Sequence, residues 1–156
     1  LLHQSAHPIS ASALAERFSV TRQVIVGDIA LLRSSGADIL ATPRGYCIQG
    51  AAPGLVRRVA VRHTPHRMET ELNIMVDNGC TVVDVIVEHP LYGQLTGSLQ
   101  LSTRAEVEQF MARSLTTQPL SALTGGIHLH TLLCPDEAAF QRVREALRQE
   151  DILLED

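Results

Sequence analysis

The residues with most chemical potential lie in Ile127-His128-Leu129-His130. Side chains two apart on a strand share a face, so both imidazoles would point the same way. His63 follows an earlier apolar run, and Glu71 falls in the first turns of the helical pattern after it. Three imidazoles and one carboxylate make a donor set for zinc, nickel, iron or cobalt, whereas magnesium and calcium take oxygen ligands. The same spacing also describes two solvent-facing histidines on a half-exposed strand, so spacing alone leaves both readings open. Catalytic residues are not expected, because no GxSxG, P-loop, GxGxxG or HExxH pattern occurs. Cys80 and Cys134 lie in or beside apolar strand patterns and read as core thiols.

Placing these ligands requires an alternating scaffold. Val56 to Val61 reads as a strand, and Met68 to Asn78 as a helix stopped at Asn78-Gly79. Cys80 to Val87 is β-branched and strand-like, and His89-Pro90-Leu91-Tyr92-Gly93 is a turn. Leu95, Gly97, Leu99 and Leu101 alternate with polar residues. Ser102 is the expected cap of a helix from Thr103 to Ser114. Ile127 to Leu133 alternates again, and Asp136 to Glu150 is an amphipathic helix with Phe140, Val143 and Leu147 inward. The order βαββαβα predicts an α+β open-faced sandwich over residues 55–156.

Residues 1–50 read differently. Ser10 caps a short helix over Ala11 to Phe18, with Ala13, Leu14 and Phe18 as its expected buried side. Ser19-Val20 is a tight turn, and Thr21 caps a second helix with apolar positions Val24, Ile25, Ile29, Leu31 and Leu32. Gly36 is the expected left-handed residue at its end. Asp38 to Ala41 and Tyr46 to Ile48 flank a Pro43-Arg44-Gly45 turn and predict a β-hairpin. A helix–turn–helix followed by a hairpin wing is a DNA-reading unit. Thr21, Arg22 and Gln23 open the second helix and suit base edges and phosphates, and Arg44 on the wing suits a phosphate or the minor groove. Gln49 to Gly54, rich in Gly, Pro and Ala, reads as the linker between the two domains.

Composition bounds these readings. A chain of 156 residues with 45% hydrophobic and 3% aromatic residues suits one or two small domains with aliphatic cores. All 13 basic residues are Arg. Four of them against three acidic residues give residues 1–50 a charge of +1, and nine against fourteen give residues 51–156 a charge of −5. A sequence pI near 6.0 argues against a non-specific polyanion binder but leaves room for a small DNA-binding head on an acidic body. No apolar run approaches a membrane span. Three widely spaced cysteines and no charged n-region in Leu1 to Ser10 point to a reducing, cytoplasmic setting.

Two stretches together resemble a known family. Ser19-Val20-Thr21-Arg22-Gln23-Val24-Ile25 through Arg33, with Ile39-Leu40-Ala41-Thr42-Pro43-Arg44-Gly45-Tyr46, resembles the biotin-repressor-like winged-helix head. Residues 58–150 resemble the 3H domain through His63-Thr64, Glu69-Thr70-Glu71-Leu72, Val87-Glu88-His89-Pro90-Leu91-Tyr92-Gly93, Pro119 to Thr124 and Gly125-Gly126-Ile127-His128-Leu129-His130. The combination is similar to the NiaR-type niacin-responsive repressors of NAD biosynthesis and niacin transport. The resemblance implies a histidine-phosphocarrier-like fold for the second domain. It also implies one divalent metal per subunit, nickel in that family, on His63, Glu71, His128 and His130. Gly27 departs from the larger polar residue expected in the recognition helix, and the family's first helix would begin upstream of Leu1.

The resemblance implies a homodimeric repressor of double-stranded operator DNA, with nicotinic acid or a related pyridine as co-repressor. One recognition helix reads few bases, and two heads span half-sites about 34 Å apart. A pyridine nitrogen is a suitable ligand for such a metal. The carboxylate would then need donors from the His89, Tyr92 and Gly93 turn or from Ser102 and Arg104. Two other readings stay open here: a metal-dependent enzyme acting on a pyridine compound, and a regulator that senses metal alone.

Overall fold

The computed structural model describes residues 1–5, 7–48, 54–114 and 126–155. The expected linker residues 49–53 and the motif residues 115–125 lie outside the described residues. The chain divides into two compact units, Leu1–Ala52 and Pro53–Asp156.

In the first unit, helix α1 spans Ala11–Phe18 and helix α2 spans Arg22–Ser34. Each starts on the cap its sequence predicts. The Ser10 hydroxyl accepts the Ala13 N–H at 3.0 Å, and that of Thr21 accepts the Val24 N–H at 3.2 Å. Gly36 takes φ +100° just beyond α2, and the Ala37 N–H reaches back to the Leu32 carbonyl at 3.0 Å. Strands β1 (Ile39–Thr42) and β2 (Gly45–Ile48) form the predicted hairpin, and Ile9 pairs with Tyr46 on its far side.

The core of this unit is Ala11, Leu14, Ala15, Ile25, Ile29 and Ile39. Phe18, expected inside, is 57% exposed, and Val24, Leu31, Leu32 and Ala13 are exposed too. Phe18 and Leu32 do lie beside Leu14, Ile25 and Ile29, but along an open apolar groove of about 510 Å³. Ala13 lies off the buried stripe of Ala11, Leu14 and Ala15.

The second unit follows the predicted order. Strand β3 (Leu55–Arg62) leads through a 3₁₀ turn at Pro65–Arg67 into α3 (Met68–Asp77). Strands β4 (Thr81–His89) and β5 (Gly93–Leu101) form a hairpin, followed by α4 (Arg104–Ser114). Strand β6 (Ile127–Cys134) and α5 (Glu137–Gln149) complete it. The antiparallel sheet has the order β3-β6-β4-β5. Its inward residues Val59, Val61, Val82 and Leu132 share one core with Leu72, Met75, Val107, Val143 and Leu147 of the helices. Val56, Ile127 and Leu129 are exposed, as an open sheet face permits. Beyond α5, Asp151 adopts φ +60° and turns the chain so that Ile152 to Leu154 run along β3. There the Leu154 N–H donates to Ala60 and the Arg62 N–H donates to Ile152.

One cap differs from expectation. The Thr103 hydroxyl, rather than that of Ser102, accepts the Glu106 N–H at the start of α4. The Glu106 carboxylate folds back to the Ser102 N–H at 3.1 Å, which makes a reciprocal capping arrangement.

Candidate metal centre and DNA-reading helix

Glu71 lies in the first turn of α3 and is fully buried. A buried carboxylate is costly unless its charge is matched. Three imidazoles match it. His63 Nε2 contacts Oε2, His128 Nε2 lies 3.0 Å from Oε1, and His130 Nε2 lies 2.6 Å from Oε1. The last approach is close but has no hydrogen-bond alignment, so this buried nitrogen lacks a well-directed partner. The ligand atoms of His63, Glu71 and His128 all lie within 4.8 Å of one another, a grouping that could hold a metal ion. His130 joins them through the shared carboxylate.

The local folding explains this convergence. On β6, His128, His130, Leu132 and Cys134 face the core while Ile127 and Leu129 face outward. The strand therefore inverts the usual choice of apolar side chains for the interior, and the solvent-facing reading of His128 and His130 is excluded. Each ring is held by its other nitrogen. Nδ1 of His63 donates to the Thr64 carbonyl at 2.7 Å, that of His128 to Gly126 at 2.9 Å, and that of His130 to Asp84 at 2.7 Å. A carbonyl can only accept, so Nδ1 carries the proton in all three rings. Each Nε2 must then present either a lone pair or a second proton toward Glu71. Neutral rings would aim three lone pairs at a carboxylate, which is repulsive. The pocket calls for added protons or a cation, and a transition metal suits this donor set.

Titration behaviour follows. Burial pushes the Glu71 carboxyl up, but the charge of His130 beside it and the hydrogen bonds from His128 and His63 outweigh it and hold the group well below the usual range. Burial pushes His63 and His130 down, yet the Glu71 carboxylate leaves both above the ordinary imidazole value.

Two positioning residues escaped the sequence reading. Gly126 has φ +93°, and a Cβ there would lie 2.3 Å from the His63 carbonyl oxygen. Its own carbonyl accepts both the His63 N–H and His128 Nδ1–H. Asp84 sits where the register of β4 shifts. Its carbonyl accepts from His130, and its Oδ1 accepts the Thr131 N–H at 2.9 Å. The Gly-Gly step before Ile127 was the only sequence signal for the first, and an isolated Asp in a β-branched run for the second.

The candidate ligand-contact residues have local tasks. His89 Nδ1 accepts the Leu91 and Tyr92 N–H groups and shapes the turn, and its ring lies 5.1 Å from that of Tyr92. Gly93 is exposed with φ +72°. The Ser102 hydroxyl bonds Thr81, and Arg104 grips Asp77 through Nε at 2.8 Å and Nη2 at 2.5 Å. In the first unit Thr21, Arg22 and Gln23 are exposed together at the start of α2. Arg44 is half-buried in the hairpin turn, where it also lowers the Cys47 thiol against the larger upward push of burial.

These features define a DNA-binding regulator: a helix–turn–helix with a hairpin, joined to a second unit with a buried histidine–carboxylate cluster. The family models agree, with an HTH domain matching residues 1–47 and a 3H domain matching residues 56–156. The chain is 46% identical over 158 residues to the "Probable transcription repressor NiaR" of Thermotoga maritima, covering 100% of this chain and 90% of that protein. It is 43% identical over 161 residues to the "Transcription repressor NadR" of Bacillus subtilis, covering 99% of this chain and 89% of that protein. The chain belongs to the NiaR/NadR family of 3H-domain transcription repressors. It is a repressor rather than an enzyme, and no helix among the described residues is long and apolar enough to cross a membrane.

Proposed function

We propose that this chain represses genes of NAD biosynthesis and niacin transport as a homodimer, with nicotinic acid as its co-repressor. One divalent transition metal per subunit sits on His63, Glu71, His128 and His130. Nickel is the family expectation, and zinc and iron fit the same donors. The observation that supports the reading is the set of three imidazoles held through Nδ1 on carbonyls, with every Nε2 turned to one buried carboxylate. The metal supplies Lewis acidity and open positions for a pyridine nitrogen or a carboxylate. The protein fixes the tautomers, excludes competing apolar packing and holds Glu71 ionised. The division into residues 1–50 for DNA and 55–156 for metal and ligand belongs to the same proposal.

Thr21, Arg22 and Gln23 read the operator, and Arg44 contacts its backbone. A co-repressor acts only if it binds the DNA-competent arrangement more tightly, and a coupling of about 1–3 kcal/mol changes operator affinity roughly 5- to 150-fold. The test is DNA binding to the promoter of a niacin-transport gene, with metal-loaded and chelator-stripped protein, each with and without nicotinate. Tighter binding only with both present is expected. Binding that follows the metal but ignores nicotinate would replace this reading with a metal sensor.

A further inference from the structure

We propose that Cys80 and Cys134 are a dithiol that closes reversibly into a disulfide and fastens the start of β4 to the end of β6. Their Sγ atoms lie 3.3 Å apart, and both residues are buried in the second unit's core. The pair stands one step beyond the register partners Thr81 and Leu133 of β4 and β6. Facing positions of antiparallel strands bring side chains close on one face. A disulfide holds its sulfurs about 2.05 Å apart, so closure needs a movement of little more than about 1 Å. Cys47 is the sole cysteine of the first unit.

Hydrogen peroxide is the oxidant class the step requires. One thiol takes an oxygen atom from peroxide and becomes a sulfenic acid, releasing one water. The second sulfur attacks the sulfenic sulfur, the S–S bond forms and the S–O bond breaks. The hydroxyl leaves with the attacking thiol's proton as a second water. The two sulfurs give up two electrons in total, and the peroxide oxygens receive them. Burial pushes both thiols up, Cys80 to about 12, so thiolate is scarce and the step is slow. The arrangement suits a latch set by sustained oxidation rather than a rapid sensor. It also joins two strands of the histidine cluster, since β4 carries Asp84, whose carbonyl holds the His130 ring, and β6 carries His128 and His130. The cysteines are 54 residues apart, so the bridge constrains a long loop of the unfolded chain.

The test uses the full chain with Cys47→Ser, exposed overnight to hydrogen peroxide, then denatured, alkylated and weighed. Two alkylatable thiols are expected to fall to none, with a mass loss of about 2 Da that a phosphine reductant reverses. Tm should rise by at least about 5 °C. Adding Cys80→Ser or Cys134→Ser should abolish both changes. Thiols that still alkylate, peptide mapping that finds Cys80 or Cys134 as a sulfinic or sulfonic acid rather than bridged, or a bridge that leaves Tm unchanged would each overturn the proposal.

Discussion

Metal binding to the histidine cluster should release protons, and the structure sets how many. In the metal-free protein the Glu71 carboxylate lifts His63 and His130 above the ordinary value of 6.5. At about pH 6.5 each ring is therefore more than half protonated, and the two together hold more than about one proton. A metal needs neutral Nε2 atoms, so those protons must leave. Affinity should fall as pH falls, by roughly tenfold per pH unit for each proton displaced and up to about a hundredfold once both rings are charged. Stability of the metal-free protein runs the other way. The raised imidazoles stabilise fully below about 6.5 and lose that contribution as pH rises through their folded values. Depressed Glu71 stabilises above its unfolded value of 4.5 and loses that contribution as pH falls through its folded one. Chelator-stripped protein should thus be most stable between about pH 4.5 and 6.5, and metal should help most above that window. Calorimetric titration of Ni²⁺ in buffers of different ionisation enthalpy counts the protons. A count of zero at about pH 6.5, with affinity constant from about pH 5.5 to 7.5, would refute the reasoning.

Replacing both His128 and His130 by Ala should abolish metal retention, and full occupancy by elemental analysis would remove the cluster from consideration. Gly126→Ala places a Cβ against the His63 carbonyl at positive φ, so it should destabilise by at least about 1–2 kcal/mol and weaken the metal; denaturant melts and a metal titration read both effects. Arg22→Ala should cost roughly 1–3 kcal/mol on the preferred operator and much less on random DNA, whereas equal losses would make Arg22 a phosphate contact. Nicotinate affinity should drop in chelator-stripped protein, and an undiminished value by titration would place the ligand away from the ion.

The scaffold was largely legible because its signals are local. Asn78-Gly79 ends α3, β-branched runs set β4, and the Ser10 and Thr21 caps fall where hydroxyls precede helical spacing. What stayed hidden depends on which face of an element is covered. Ile127-His128-Leu129-His130 alternates equally well in either orientation, and only the sheet's place against α3 decides that the imidazoles go inward. Phe18 carries the spacing of a buried residue but borders an open groove, and covering it is a tertiary matter. Asp84 acts through a register shift that no propensity encodes, and Gly126 through a close backbone approach that only the fold creates.

The segment after α5 has a further consequence. A sheet edge offers unpaired backbone groups that recruit strands from other molecules. On β3 that hazard is met from within, because Ala60 and Arg62 already exchange hydrogen bonds with Leu154 and Ile152, and Ile152 is buried. Among the described residues, the other margin of the four-stranded sheet is β5, Gly93 to Leu101. Deleting residues 152–155 would do more than shorten the chain. It would bare a second adhesive margin beside exposed Val56, and the shortened protein should self-associate and lose solubility before it loses helix content.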